Sequence, residues 1–377
     1  MDEEQVSLCA ACAKHPEVKA LVTSDLKAGV CGACGTLGDV FNPKRFELLR
    51  NLIRALIRLH FSEDDYNHHW GGTSLDEVLL SQENPILEVA TCQDYQDEFI
   101  NRITWEGEIY PDYDKGICLF AGDDGVGGRG IQFSIPETRN RELRSIEKRL
   151  ERENFHAVED AMEKVVDQIK DDIEASVTEG TIWYRGRIGV QERSVHVDWR
   201  NVTHVATPYK DSAIGALPPP LASAGRTNRQ GVSVLYVASE IETALAEIRP
   251  HPSHFVSVGG FRARKDLRVA RFDLAIGPFS SSDARLDLFA LIYHIDTLLS
   301  APVIPEERQR YSITQLLSDI LIRNGFEGVI YRSSVGKGIN LCAFDPAAFD
   351  FDERASAVMK VDRVHYRFSN VDTSIPS

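Results

Sequence analysis

Four cysteines near the amino terminus constrain the fold of this chain more than any other feature of its sequence. Cys9 and Cys12 form one Cys-x-x-Cys pair, and Cys31 and Cys34 form a second pair after residues 13–30. Two thiolates at this spacing on a tight turn can bind one ion, and two such turns complete a tetrahedral zinc site. The length between the pairs is typical of zinc ribbons. We therefore predict a structural zinc ion, because four thiolates leave no position open for a substrate.

A redox centre is the alternative interpretation of a Cys-x-x-Cys pair, but it needs one pair only and usually a thioredoxin-like context. The remaining cysteines, Cys92, Cys118 and Cys342, stand alone in the sequence. The first residues are acidic and lack the apolar segment of a secretory signal. We therefore expect a reduced, cytoplasmic protein without a disulfide framework.

The charge balance bears on the classes of partner. The chain has 377 residues, with 42 Lys and Arg against 57 Asp and Glu, and a formal net charge of −15. A negative field disfavours non-specific nucleic-acid binding, which depends on neutralising phosphates. No apolar run approaches the length of a membrane-spanning helix. We expect neither nucleic acid nor a membrane as a partner.

Residue patterning divides the chain into four predicted parts. In the first part, Asn42 and Pro43 begin an amphipathic helix, and residues 86–92 and 116–121 are predicted to be strands or short buried segments. The second part has apolar residues at helical spacing and predicts one long helix or two. The four parts are a zinc-binding and accessory domain over 1–135, a helical connector over 136–176, a mixed domain over 177–355 and a tail over 356–377.

The predicted mixed domain contains short apolar runs that favour strands and a few helical segments. The helix predicted at residues 313–325 ends at Gly325, a typical stop. Mixed strands with few helices predict an α+β fold, preceded by the zinc-ribbon-like and helical amino-terminal region. Residues 125–130 match the spacing GxGxxG, but a dinucleotide fingerprint must open a helix. Pro136 follows closely, so we interpret this segment as a glycine-rich turn.

Five sequence blocks in the second half follow one another in a distinctive order. They are Trp183–Gly186, Ala224–Gly231, Leu235–Ser239, Thr243–Arg249 and Val329–Ser334. In this order and at this spacing they resemble the RES family, from about Thr181 to Phe349. The resemblance implies a fold similar to that of ADP-ribosyltransferase toxins. It also implies a bacterial toxin that degrades NAD by hydrolysis or phosphorolysis.

The resemblance assigns roles to individual residues of this chain. It implies a catalytic set of Arg185, Tyr236, Glu247 and Ser333, with Ser334 in the place of Ser333 if the register differs by one. It implies that Tyr184, Arg226 and Asn228 contact NAD. The chain departs from the family at Thr227, where many relatives carry a tryptophan.

These residue types suit the implied chemistry. A guanidinium group matches the pyrophosphate of NAD, and a carboxylate stabilises the positive charge that develops on the ribose when a glycosidic bond breaks. Each of these residue types also has a purely structural interpretation. Tyr236 fits a core aromatic with a satisfied hydroxyl, Glu247 fits a solvated helix face, and the arginines fit surface ion pairs.

The resulting hypothesis is a cytoplasmic NAD-degrading effector of the toxin, toxin–antitoxin or antiphage-defence type. Zinc is its structural ion, NAD its substrate, and water or inorganic phosphate the acceptor of the ribosyl group. Expected partners are an antitoxin or regulatory protein and a second copy of the chain. The alternatives are an ADP-ribosyltransferase that modifies a macromolecule and a non-catalytic module that binds a nucleotide or a partner.

The amino-terminal zinc-binding region resembles domains found ahead of HEPN and RES modules. HEPN ribonucleases carry an Arg–His spacing on a helix, and this chain matches it at Arg54–His60 and Arg149–His156. Two matches in one chain indicate how loose the pattern is. The strand-rich second half disfavours the all-α HEPN fold.

Overall fold

The structure is a computed structural model of the chain. The chain forms two compact units, one of Met1–Ser145 with Leu274–Ile295 and one of Ile146–Asp273 with Asp296–Ser377. The described residues are 6–66, 71–73, 75–88, 99, 103, 133–138, 140–197, 202–303 and 305–365.

The first unit contains a small three-stranded sheet that carries the cysteine pairs. Its strands are β1 (Val6–Ser7), β2 (Leu26–Cys31) and β3 (Leu37–Phe41). β1 is parallel to β2, and β2 is antiparallel to β3. Between β1 and β2 lies helix α1 (Pro16–Ser24), whose first turn is capped by the His15 Nδ1 atom accepting from the Glu17 N–H at 3.3 Å.

The helix predicted after Asn42 and Pro43 is confirmed. The Asn42 side chain accepts a hydrogen bond from the Lys44 N–H, which caps a short 3₁₀ turn that leads into α2 (Phe46–His60). Helix α3 (Leu75–Leu79) follows. Of the predicted strand at 86–92 only residues 86–88 are described, and Leu87 forms an isolated bridge with Ala13. The segments at 116–121 and 125–130 lie outside the described residues.

The connector contains two helices, which was one of the two predicted outcomes. They are α4 (Arg141–Leu150) and α5 (Phe155–Ile169). The buried residues of α5 follow the helical period that the sequence displays, with Val158, Met162, Val165 and Ile169 on one face.

The second unit contains an eight-stranded mixed sheet, which confirms the α+β prediction. Strands β10 (Leu267–Arg271) and β11 (Gly328–Arg332) are parallel, and every other neighbouring pair in this sheet is antiparallel. A separate hairpin is formed by β6 (Glu192–Val197) and β7 (Val202–Thr207). In spatial order β13-β9-β5-β8-β12-β11-β10-β4, the strands are Phe349–Lys360, Phe255–Ala263, Ile182–Ile188, Leu235–Ala238, Ile339–Ala343, Gly328–Arg332, Leu267–Arg271 and Glu174–Val177.

Three further helices follow the hairpin in the chain. They are α6 (Ile241–Glu247), α7 (Asp283–Ser300) and α8 (Ser312–Arg323). Gly325 has a φ of 81°, so the predicted stop after α8 is confirmed. The sequence analysis did not predict α7, of which residues 296–300 belong to the second unit. Among the described helices, none combines the length and the apolar composition needed to cross a membrane.

Strand alternation gives the central part of the large sheet two different faces. Leu235, Val237, Ile330 and Leu341 belong to a buried apolar cluster that also contains Trp183. The residues between them belong to the opposite face, because neighbouring side chains on a strand point to opposite sides. On that face Tyr236 is paired with Cys342, and Tyr331 is paired with Asn340. These polar and aromatic side chains mark where the candidate site lies.

Candidate functional site

The candidate site begins where β5 and β8 separate. Their ladder has a single pair, Tyr184 with Ala238, although β5 continues to pair with β9 as far as Ile188. Past this pair the Arg185 Nη1 atom donates to the Tyr236 carbonyl oxygen at 2.9 Å. A side chain therefore satisfies a backbone group that the interrupted ladder leaves without a strand partner.

A cavity of about 400 Å³ lies at this separation. A Cβ atom on Gly186 would be 2.8 Å from the Ala244 carbonyl oxygen, so the glycine permits α6 to lie close to β5 at the cavity. The volume is within the range of small-molecule sites. Its lining residues are Tyr184, Arg185, Gly186, Ala224, Gly225, Arg226, Tyr236, Val237, Ala238, Ala244, Glu247, Ile248, Val303, Tyr311, Tyr331 and Asn340.

Two guanidinium groups give the cavity positive charge. Within the described residues, Arg185 and Arg226 donate to backbone carbonyl oxygens, and neither forms an ion pair with a carboxylate. Burial lowers the pKa of Arg185, because a charged group loses solvation there. A guanidinium cation is still protonated at neutral pH. The site therefore suits an anionic ligand that supplies the missing countercharge.

Arg226 is held in place by the end of α7. Its Nη1 atom donates to the Leu299 carbonyl oxygen at 2.9 Å and also to the Ala301 carbonyl oxygen. Its guanidinium carbon lies 5.6 Å from the centre of the Tyr311 ring. Carbonyl groups at a helix carboxyl terminus favour a cation. Arg226 is thus fixed on one side by backbone oxygens and by an aromatic ring that also lines the cavity.

Glu247 supplies the negative charge of the cavity and is oriented by two donors. Its Oε1 atom accepts from the Ser333 Oγ at 2.7 Å and from the Asn340 Nδ2 at 2.6 Å. Within the described residues no hydrogen bond is made to its Oε2 atom. One oxygen therefore anchors the carboxylate, and the other can accept a hydrogen bond or stabilise a cation.

Ser333 is in turn held by the loop that follows β11. Its Oγ atom accepts from the N–H groups of Val335, at 3.2 Å, and Gly336, at 2.9 Å. Since these backbone groups donate to the hydroxyl, its own proton is directed to Glu247. A Cβ atom on Gly336 would lie 2.6 Å from the Thr243 Oγ1 atom, so the loop lies tightly against α6.

The hydroxyl of Tyr236 is engaged within the protein. It accepts from the Thr227 N–H at 3.0 Å, contacts the Thr227 Oγ1 at 2.9 Å and donates to the Asn228 Oδ1 at 2.8 Å. The Asn228 Nδ2 atom donates to the carbonyl oxygens of Ser223 and Val232, both at 2.9 Å. Burial raises the pKa of Tyr236 well above its usual value. The phenol therefore holds the loop that carries Arg226.

Replacing Tyr236 with phenylalanine is expected to lower the free energy of unfolding by about 1–3 kcal/mol, the usual penalty for leaving a buried polar group unsatisfied. The substitution leaves the Thr227 N–H and the Asn228 Oδ1 without the phenol. Urea denaturation measured by circular dichroism tests this prediction.

Tyr331→Phe is the matched control for this measurement. Tyr331 lies on β11, lines the same cavity, and its hydroxyl makes no hydrogen bond with a described residue. We expect the control to change the unfolding midpoint much less. Equal losses in the two variants would contradict the role given to the Tyr236 hydroxyl.

The structure brings most of the predicted site residues together. Tyr184, Arg185, Arg226, Tyr236 and Glu247 all line the cavity. Ser333 is not a lining residue but donates to Glu247. Asn228 is not a lining residue either, being 5% exposed and bonded within its own loop.

Val303, Tyr311, Tyr331 and Asn340 also line the cavity and were not among the predicted site residues. Tyr331 and Asn340 had a signal in the sequence, because they lie in or just behind the last of the five blocks. Burial raises the pKa of Tyr331, on which the charges of Arg226 and Glu247 act in opposite directions. Val303 and Tyr311 follow α7 and had no such signal.

The four amino-terminal cysteines form a second candidate site, in the first unit. Their sulfur atoms all lie within 4.8 Å of one another, and those of Cys9 and Cys34 are 4.0 Å apart. Cys31 ends β2, and Gly35 in the following turn has a φ of 68°. Tetrahedral zinc with bonds of about 2.3 Å places its sulfurs roughly 3.8 Å apart. The cluster therefore fits a four-thiolate zinc site after a small contraction.

Hydrogen bonds already favour a thiolate within this cluster. The hydrogen bond with Cys12 lowers the pKa of Cys31, and burial raises the pKa of Cys9. Thiolates are the form of cysteine that binds metal ions. Zinc, which this arrangement suits, would take its remaining ligands by displacing the other thiol protons.

Comparison with protein families connects the cavity to a known domain. Residues 197–368 match the family model described as RES domain. The match begins after the β5 residues Tyr184, Arg185 and Gly186, which also line the cavity. No curated protein matches the chain.

One solved structure is similar to part of this chain. It is a chain of the crystal structure of the M. tuberculosis MbcT–MbcA toxin–antitoxin complex, with 12% sequence identity. The alignment covers 52% of this chain and 92% of that chain, with a TM-score of 0.29.

Proposed function

We propose that this chain, of which residues 197–368 match the family model described as RES domain, degrades NAD by cleaving the nicotinamide–ribose bond in the cavity between β5, β8 and α6. The product is ADP-ribose if water takes up the ribosyl group, or ADP-ribose 1″-phosphate if inorganic phosphate does. Of these acceptors we favour phosphate, by analogy with the family alone.

The observation that carries this proposal is the combination of charges in one cavity. Arg185 and Arg226 have no carboxylate partner among the described residues, and Glu247 is oriented with one oxygen unengaged. NAD has the complementary charges, since its pyrophosphate is anionic and its nicotinamide–ribose end is cationic. An uncharged ligand would leave both guanidinium groups without a countercharge, which is unfavourable in a partly buried site.

The chemistry assigned to each residue follows from these positions. Arg185 and Arg226 bind the pyrophosphate oxygens. As the bond between nicotinamide and ribose breaks, the nicotinamide leaves with the bonding electron pair, and positive charge develops on the ribose. The Glu247 carboxylate stabilises that charge, held in place by Ser333 and Asn340. The acceptor then forms the new bond to the same carbon, and its proton is released to solvent.

Two predicted site residues act in this proposal through the protein rather than on NAD. Tyr236 and Asn228 hold the loop of Arg226 in its conformation by the hydrogen bonds described above. Tyr184 and Tyr311 supply aromatic surface to the cavity.

The remaining assignments are part of the same proposal. They are a zinc ion on Cys9, Cys12, Cys31 and Cys34, a toxin or defence role, and an antitoxin or regulatory protein as partner. The predicted domains over 1–135, 136–176, 177–355 and 356–377 belong to it as well.

Incubation of the purified full-length chain with NAD, with and without inorganic phosphate, tests the proposed reaction. We expect loss of NAD and one nicotinamide released for each NAD consumed, with products identified by mass spectrometry. ADP-ribose 1″-phosphate that appears only with phosphate indicates phosphorolysis, and ADP-ribose in both conditions indicates hydrolysis.

Two outcomes would contradict the proposal. Nicotinamide release with the ADP-ribosyl group attached to a macromolecule would indicate an ADP-ribosyltransferase. Intact NAD under all conditions, with nucleotide still bound, would indicate a non-catalytic module.

A further inference from the structure

A buried carboxylate lies behind the Ser333 loop and is not used by the proposed chemistry. Asp296, in the last part of α7, is fully buried at 0% exposure. Its Oδ1 atom accepts from the Arg332 N–H at 2.9 Å, and its Oδ2 atom accepts from the Arg332 Nε. One turn further along α7, the Ser300 Oγ atom donates to the Arg332 carbonyl oxygen at 2.7 Å.

These contacts with α7 satisfy backbone groups of β11 that lie past the end of its neighbour β10. β11 pairs with β10 only as far as Arg271 with Ile330, and the Ile330 carbonyl oxygen accepts from the Phe272 N–H at 2.9 Å. Arg332 lies two residues after Ile330 on β11, so its backbone N–H and C=O groups point to the same edge of the strand as those of Ile330. At Arg332 that edge is no longer paired, because β10 has ended. Asp296 and Ser300 satisfy both of those groups from α7, and the end of β11 is thereby held.

Burying the Asp296 carboxylate costs free energy, because the charged group loses its solvation. Burial raises the pKa of Asp296, and the charge of Arg332 opposes that shift. The Arg332 side chain is 46% exposed, so the pair does not serve to bury the arginine. A neutral acceptor would satisfy the N–H with less desolvation, but the carboxylate binds both the N–H and the Nε of Arg332.

The anchored residue directly precedes the serine that orients Glu247. Asp296 holds Arg332, the next residue Ser333 donates to Glu247 at 2.7 Å, and Glu247 lines the cavity. We propose that Asp296 is a positioning residue that sets the place of Ser333 and, through it, the orientation of the Glu247 carboxylate. This inference rests on the proposed NAD-cleaving function for its catalytic consequence.

A double-mutant cycle between Asp296 and Ser333 tests the catalytic part. Asp296→Ala and Ser333→Ala are each expected to lower kcat for NAD loss by about tenfold or more, with KM nearly unchanged, because binding contacts are left in place. If Asp296 acts through Ser333, the double variant loses no more than the worse single variant. The proposal is overturned if the kcat losses of the two single variants multiply in the double variant, or if the substitutions change KM alone.

Conservative replacement keeps the test informative if Asp296→Ala does not fold. Asp296→Asn has the same shape and keeps an oxygen that can accept from the Arg332 N–H. We expect it to lose about threefold in kcat relative to the wild type, less than Asp296→Ala, because the main acceptor is kept. Asp296→Asn then replaces Asp296→Ala in the double-mutant cycle. If its loss in kcat multiplies with the loss caused by Ser333→Ala, Asp296 does not act through Ser333.

Amide hydrogen exchange tests the anchor independently of any activity. We expect the amides of residues 332–338 to exchange at least about tenfold faster in the Asp296 variants. Asp167→Asn, which removes a surface ion pair with Lys170, is the matched control and should leave that exchange unchanged. Unchanged exchange in the Asp296 variants overturns the anchor. If exchange is faster in the Asp296 variants but the wild-type protein does not consume NAD, the structural anchor is supported. The catalytic role of Asp296 is then rejected together with the proposed function.

Discussion

Glu247→Gln is expected to lower kcat for NAD loss by about 10²–10³-fold, the scale observed when one preorganised electrostatic contact to a transition state is removed. Glutamine has the same shape, and its amide oxygen can still accept the hydrogen bonds that Ser333 and Asn340 donate to Glu247. The substitution therefore removes the negative charge and little else. KM should change little, because the pyrophosphate contacts proposed for Arg185 and Arg226 do not involve Glu247.

Glu242→Gln is the matched control for this variant, since Glu242 lies on the same helix, α6, and is exposed. It makes the same change of charge outside the cavity, and we expect wild-type kinetics. The measurement is steady-state NAD loss followed by nicotinamide release. Equal activity of wild type and Glu247→Gln would contradict a catalytic role for this carboxylate.

Cys31→Ser is expected to reduce bound zinc from one ion per chain to close to none and to unfold the small three-stranded sheet. Cys31 is 0% exposed and ends β2, so its loss removes a thiolate from the centre of the cluster. Structural zinc contributes about 10–16 kcal/mol of apparent binding free energy in small zinc domains. Metal content is measured by mass spectrometry of the purified protein, and folding by limited proteolysis and circular dichroism.

Cys342→Ser is the control, because Cys342 is a buried cysteine outside the cluster and accepts a hydrogen bond from Thr227. It should keep full zinc content whatever its effect on stability. A wild-type protein that is folded after removal of all metal by a chelator, with the same melting temperature, would contradict a structural zinc ion.

Local sequence patterns predicted the features that depend on near neighbours in the chain. The two Cys-x-x-Cys pairs predicted the cluster of four sulfurs, because each pair is brought together by its own turn. The Asn42–Pro43 pair predicted the start of a helical segment, and Gly325 predicted the end of α8. Each signal depends on contacts that span only a few residues, and the pairing of β1 with β2 then brings the two cysteine turns together.

The ordered blocks of the second half predicted much of the cavity but less of how its residues act. Arg185, Arg226 and Glu247 were predicted together and line one cavity. The hydroxyl of Tyr236 was left between a catalytic and a structural role, and its bonds to Thr227 and Asn228 favour the structural one. Nothing in an apolar strand sequence reveals where a phenol will find its partners.

α7 illustrates what sequence analysis could not reach. The helix was not predicted, and its end supplies the carbonyl groups that hold Arg226 and the Asp296 carboxylate that holds Arg332. Asp296 is remote in the sequence from every block that carries the resemblance to the RES family. Its contact with Arg332 depends on the packing of α7 against the end of β11.

The sequence by itself determined the zinc-type cysteine cluster, the α+β class of the second half and which charged side chains belong to the cavity. Only the tertiary structure decided that β5 and β8 separate to form that cavity, that Asn340 and Ser333 share one oxygen of Glu247, and that α7 completes the end of β11. The physical reason is that residue type and spacing specify local turns and charge. Hydrogen bonds between residues far apart in the chain depend on how strands and helices pack, which no short pattern records.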